Sequence, residues 1–205
     1  MPTDDKKDPN AVTDTATATP PSTLDPERAD LLAALSTARS ALTGAVRGLT
    51  DEQLGQRPTV SALCLGGLIK HVAAMERSWL RFVVEGPSAM SFDLPDGVTW
   101  ADITAGRVRE VPRWLVEHEA GFQMLPGETL AGILAHYAQV AARTEETVAA
   151  VADLSTTHPL PPAPWHEVTG VLSVRGALMH VIAETAQHAG HADILRESLD
   201  GQRAT

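Results

Sequence analysis

Cysteine is nearly absent from this chain of 205 residues: the only one is Cys64. No internal disulfide can form, and a disulfide-stapled scaffold is excluded. Long apolar runs are missing as well. The longest candidate, 60–69, is interrupted by Ser61, Gly66 and Gly67 and ends at Lys70, far short of the roughly eighteen apolar residues a spanning helix needs. The N-terminal stretch lacks the apolar core of a secretory signal, so a cytoplasmic location is expected. Positive charge is also in deficit, with 16 basic against 26 acidic residues and a net charge of −10. Phosphate-backbone and anionic-membrane partners call for basic surfaces, so no nucleic-acid and no membrane partner is expected. There is no Walker or dinucleotide-binding glycine pattern and no G-x-S-x-G elbow. Aromatic residues make up only 4% of the chain.

What is present is helical periodicity. Residues 1–23, rich in Pro, Thr, Asp and Ala, read as a flexible tail; residues 24–201 read as one domain and 202–205 as a short C-terminal tail. Asp25-Pro26-Glu27 is a helix start signal, and Leu31, Leu35, Ala38, Leu42, Ala45 and Leu49 then recur on one helical face. A short connection runs from Leu49 through Pro58. The spacing predicts a second helix over 61–84, stopped by Gly86-Pro87, a third from Leu130 to Val151, and a fourth over 173–199 ending at Gly201. Residues 86–128 show only two short periodic pieces, around Trp100 and Trp114. No strand alternation is visible. The fold class expected is all-α, a four-helix bundle with a long crossover between helices two and three. Thirty-one alanines favour close helix approach and account for the low aromatic content.

On the fourth helix, Val174, Ala177, Val181, Glu184, His188, Leu195 and Leu199 share one stripe, which sets Glu184 and His188 in the middle of an apolar face. They are neighbours at i, i+4 spacing, about 5–6 Å apart at Cβ. A buried carboxylate has to be compensated. A Glu–His pair, an arginine from another helix, or a divalent cation would each do so, carboxylate and imidazole at this spacing being a natural half-site. A third ligand would come from a facing helix: His71, at the edge of the second helix's apolar face, is the better placed, and His136 on the third is the alternative.

Three segments resemble the DinB-like superfamily of four-helix metalloproteins, in its branch of mycothiol-dependent S-transferases and maleylpyruvate isomerases. They are LTDEQL (49–54) with Arg57-Pro58, LGGLIKHVAAMERSWL (65–80) and ETAQHAGHADILRESLDG (184–201), the last being the most specific. The likeness runs over about residues 27–201 and is poor at 86–128. It implies a divalent metal, zinc or nickel, held by His71, Glu184 and His188. Much of the superfamily has histidine in place of Glu184; the isomerase branch has glutamate, as here. Close relatives often carry an arginine where this chain has Gln187.

Two histidines and one glutamate leave a zinc position open, the mark of a catalytic rather than a structural site; iron also accepts this ligand set. The resemblance implies that the open position takes a small-molecule thiol, mycothiol, whose thiolate attacks a small electrophile in a transfer or isomerisation. His191 and Gln187 would orient ligands or substrate. The Arg-over-Lys and Ala bias matches a GC-rich, actinobacterial coding sequence. A metal-binding stress or regulatory module without turnover, and a thiol-independent metal-activated hydrolase, are the rival functions. A homodimer is a natural assembly for such bundles. Among the remaining residues, Cys64 reads as a small buried side chain and Glu76 as the partner of an arginine such as Arg196. Trp79, Phe82 and Tyr137 read as core, with Tyr137 within reach of the metal site. His180 reads as structural, and Gly66 and Gly67 as places of close packing.

Overall fold

The computed structural model describes residues 24–90, 92–161, 163 and 170–203. The tail expected over 1–23 lies outside them, as do residues 204–205 of the C-terminal tail. The elements are α1 (Pro26–Gly44), α2 (Asp51–Leu54), α3 (Leu65–Glu85), a 3-10 turn (Gly86–Ala89), α4 (Trp100–Thr104), α5 (Arg113–Gly121), α6 (Leu130–Ala150), strands β1 (Thr157–Pro159) and β2 (Val171–Ser173), and α7 (Val174–Asp200). The four long helices α1, α3, α6 and α7 form the bundle, as expected for an all-α fold.

The capping chemistry explains most boundaries. The Asp25 carboxylate accepts from the Arg28 backbone N–H and Pro26 opens α1. Thr129 and Ser173 cap α6 and α7 in the same way, and Gly201 ends α7 at φ +75. The second long helix begins at Leu65, four residues after the sequence-based expectation. There, Ser61 N–H donates to the Thr59 hydroxyl and Leu63 N–H to the Ser61 hydroxyl, local bonds that compete with a helical turn. Two features have no periodic signal. The connection after α1 contains the single turn α2, closed by a Thr50–Gln53 capping box. The three-residue strands pair antiparallel, His158 opposite Leu172, and are too short to show alternation.

Two apolar clusters fill the bundle. One gathers Leu42, Leu68, Ile69, Val72, Tyr137, Ala189 and Ala192; the other gathers Phe82, Val83, Val148, Val174 and Leu178, with Leu31 and Leu32 against it. The order in which each helix meets them gives its direction: α1 and α7 run one way, α3 and α6 the other. Because α3 and α6 are parallel, the chain between them must travel back along the bundle, and this is why the long crossover exists. On that return α5 packs on α3.

A polar layer occupies the interior. The Arg39 guanidinium of α1 donates twice to Glu76 of α3, whose side chain is 1% exposed, and Thr144 of α6 donates to the same carboxylate at 2.5 Å. The arginine partner of Glu76 is therefore Arg39 and not Arg196. Arg196 donates to the backbone carbonyls of Ala45 and Arg47 and to Asp200 and Gln202, tying α7 to the end of α1. Tyr137 is core. Its hydroxyl lies beside Glu76, Arg39 and Thr185, finds no hydrogen-bond partner among the described residues, and is held above its ordinary pKa, first by burial and then by the Glu76 charge.

Candidate metal and thiol site

His71 leaves α3 one residue after Lys70, and His188 leaves α7 on the facing side. Their rings stand edge to face, centroids 4.9 Å apart. Glu184, one turn before His188, places a carboxylate oxygen 3.7 Å from His188 Nε2. The other nitrogen of that ring, Nδ1, is 3.4 Å from Nδ1 of His191. His188 thus meets a second imidazole at Nδ1 within hydrogen-bond distance, and its Nε2 faces the acid beyond that distance. Engagement of the far nitrogen helps to orient a metal-ligating histidine.

Burial is the first cause that lowers the pKa of both rings. His71 is pushed down to about 4, with the neighbouring His188 and His118 adding to the effect. His188 is lowered less, because the Glu184 charge opposes the desolvation and His191 reinforces it. Both rings are consequently neutral at pH 7, the form that can donate a lone pair. Glu184 departs from its expected place. With the buried face of α7 running through Val181, Thr185, Ala189 and Ala192, Glu184 falls at the rim of that face, and its side chain is 32% exposed against 13% for His188. The buried face is turned about an eighth of a turn from the stripe of apolar positions, because Thr185, Ala189 and Ala192 share it with Val181 and Leu195. The deeply buried acid of this bundle is Glu76.

Among the described residues, no three or more His, Cys, Asp or Glu side chains are gathered as they are around a metal ion. The donor set of His71, Glu184 and His188 nevertheless suits a divalent cation: two imidazoles kept neutral by burial and one carboxylate, half in water, that needs no other compensation.

The remaining sequence candidates divide cleanly. His191 belongs to the cluster through His188. Gln187 is exposed, and its side chain makes no hydrogen bond among the described residues. His136 is exposed on α6, outside the cluster. His180 is exposed, with its ring 4.7 Å from that of Trp79. Cys64 is buried, 1% exposed, its Sγ 3.6 Å from the Phe122 carbonyl oxygen.

The periodic reading missed the crossover's part in the site. Phe122 stacks on His71 at 4.0 Å, and His118, one turn earlier on α5, sets its ring edge-on to His71 at 5.5 Å. The available signal was the i, i+4 pair His118/Phe122 in an otherwise illegible segment. Gly66 and Gly67 are places of close packing, as expected, and what they receive is residues 122–124. A β-carbon on Gly66 would stand 2.3 Å from the Met124 sulfur.

No helix among the described residues is long and apolar enough to cross a membrane. No curated protein sequence matches the chain significantly. Among solved structures, the crystal structure of a conserved protein from Enterococcus faecalis superposes with a TM-score of 0.60 at 14% identity, covering 88% of this chain and all of that one; this likeness shows the fold. The sequence model of the mycothiol-S-transferase family matches residues 30–201, most of the chain. The protein belongs to the mycothiol-S-transferase family, which is DinB-like.

Proposed function

We propose that this protein is a metal-dependent S-transferase that joins a low-molecular-weight thiol, mycothiol by family membership, to a small electrophile. The observation that carries the reading is the meeting of His71 and His188, two neutral imidazoles from facing helices, with the Glu184 carboxylate at the rim of the same cluster. These three side chains hold the cation, and Zn²⁺ suits the set best, with nickel and iron also compatible. Bound there, a divalent cation lowers the pKa of a thiol and so makes a thiolate available at neutral pH.

The chain's own residues do the rest. His191 meets His188 at Nδ1, which leaves Nε2, on the Glu184 side, as the nitrogen that would bind the cation. Glu184 supplies one negative charge, so that the site with a dication and a thiolate is neutral overall. Phe122 covers one face of His71 and excludes water from that side. In the transfer the thiol S–H bond breaks, a sulfur–carbon bond forms, and the electrophile's leaving group departs with the electron pair of the broken bond, while the thiol proton passes to solvent or to the leaving group. Transfer is preferred to isomerisation because the family is one of S-transferases.

Metal analysis and a conjugation assay test this reading together. Purified protein is expected to hold close to one equivalent of zinc or nickel and to lose it in Glu184→Ala and His188→Ala, and the loaded protein is expected to conjugate mycothiol to electrophiles such as monobromobimane. Full metal content in both variants would sink the site. Turnover independent of thiol would shift the function to a metal-activated hydrolase, and absence of turnover across broad electrophiles to a binding module.

A further inference from the structure

We propose that His118, delivered by the crossover helix α5, is a substrate-binding residue of this site that hydrogen-bonds polar groups adjoining the sulfur of the incoming thiol. The inference rests on the metal–thiol reading above and adds a residue from outside its ligand set.

Three separate devices hold residues 118–124 against α3 beside His71. The first is the seat at Gly67, where a β-carbon would stand 2.0 Å from the Phe122 carbonyl oxygen. The first turn of α3 carries two glycines in succession here. The second is Lys70, the neighbour of His71 in sequence and the only lysine among the described residues. Its ammonium donates to the carbonyls of Ala120 and Gln123 at the end of α5, at 3.5 and 2.8 Å, and meets Glu128 at 2.7 Å. Glu128 in turn accepts from the Leu125 N–H. The third is the stack of Phe122 on His71.

His118 rides on this anchored piece. Its ring is 5.5 Å from His71 and 5.3 Å from Phe122, edge-on to both, and the residue is exposed. A side chain serving only to cover the core at this place would be apolar, as Phe122 is. His118 instead presents an imidazole, able to donate and to accept, at the solvent side of His71, while Phe122 blocks the ring's face. A thiol that reaches His71 and His188 from solvent on this side brings the groups next to its sulfur within reach of His118. The chemical class that fits is a cysteine-derived thiol, whose second carbon from the sulfur bears an amide nitrogen and a carbonyl group.

The test uses the full-length protein loaded with Co²⁺ and titrated with N-acetylcysteine or with ethanethiol, which lacks polar groups. Binding is read from the near-ultraviolet sulfur-to-cobalt charge-transfer band. His118→Ala is expected to keep its cobalt, to bind N-acetylcysteine about tenfold more weakly, and to bind ethanethiol as the wild type does; His118→Gln is expected to recover part of the loss. Unchanged N-acetylcysteine affinity overturns the proposal, and so does an equal loss for both thiols, which would mean that α5 had merely shifted. His188→Ala separates the two levels. Loss of cobalt there, with His118→Ala like wild type, removes His118 and leaves the metal reading standing. A wild type that binds no cobalt, or gives no sulfur band, fells the metal–thiol reading and this inference with it.

Discussion

Gly67 of α3 and Phe122 at the end of α5 approach so closely that a β-carbon on Gly67 would stand 2.0 Å from the Phe122 carbonyl oxygen. Backbone meets backbone at this point, and neither side can yield as a flexible side chain would. The contact joins the legible part of the chain, a periodic helix, to the crossover, and it does so four residues before His71.

Gly67→Ala is therefore expected to destabilise the protein although it raises helix propensity. Overpacking costs typically 1–3 kcal/mol, against less than the ~1 kcal/mol of an interior position gained in the first helical turn. Urea denaturation measures the balance, and a more stable variant would show that residues 122–124 give way freely.

Removing Arg39 leaves the Glu76 carboxylate in the interior with Thr144 as its hydrogen-bond donor, and removing Glu76 leaves the Arg39 guanidinium with Glu145, 3.6 Å away, as its acidic neighbour. Arg39→Met and Glu76→Leu are each expected to cost about 3–5 kcal/mol, and the double variant less than the sum, because it removes both charges at once. A double-mutant cycle by chemical denaturation reads this directly; strict additivity would contradict it.

Acid should weaken the metal-free protein through its histidines. Folding holds His71 at about 4 and lowers His188 too, so the unfolded chain binds more protons once the pH drops below the ordinary histidine value of about 6.5. Stability is then intact at neutral pH and is lost as the pH falls from about 6.5 toward about 4. The share of His71 is at most about 3 kcal/mol, reduced for the part of the ring that solvent reaches. Unfolding curves at pH 7 and pH 5 should differ more for wild type than for His71→Gln; equal differences would refute the assignment.

Metal should stabilise by mass action. Zinc at a hundredfold excess over its Kd adds about 2.7 kcal/mol. A Tm rise on zinc addition is expected for the wild type and is expected to vanish in His188→Ala and in Glu184→Ala. A rise that survives both substitutions would place the metal elsewhere.

The four bundle helices were legible because each repeats its apolar residues at helical spacing and carries its own stop and start signals: Asp25-Pro26, Thr129, Ser173, Gly86 and Gly201. The pair Glu184/His188 was legible for the same reason, since i, i+4 spacing makes neighbours on any helix. Two details were not. Local hydroxyl bonds at Thr59 and Ser61 delay the start of α3. The buried side of α7 includes Thr185, Ala189 and Ala192, residues too small or too polar to register as an apolar stripe, so periodicity centres the stripe near Glu184 although that residue lies at the rim.

By itself the sequence determined the helical class, the number of long helices, the lack of an internal disulfide and of an apolar run long enough for a spanning helix, and the residue types able to hold a cation. Periodicity records which face a residue occupies and nothing about what stands opposite. Tertiary structure alone decided that Glu76 meets Arg39, that Arg196 closes the end of α1, and that a crossover without periodic signal returns along the bundle to lay Phe122 and His118 against His71. Those pairings join positions dozens of residues apart and exist only once the helices pack; the last of them follows from parallel α3 and α6, which force the chain to travel back.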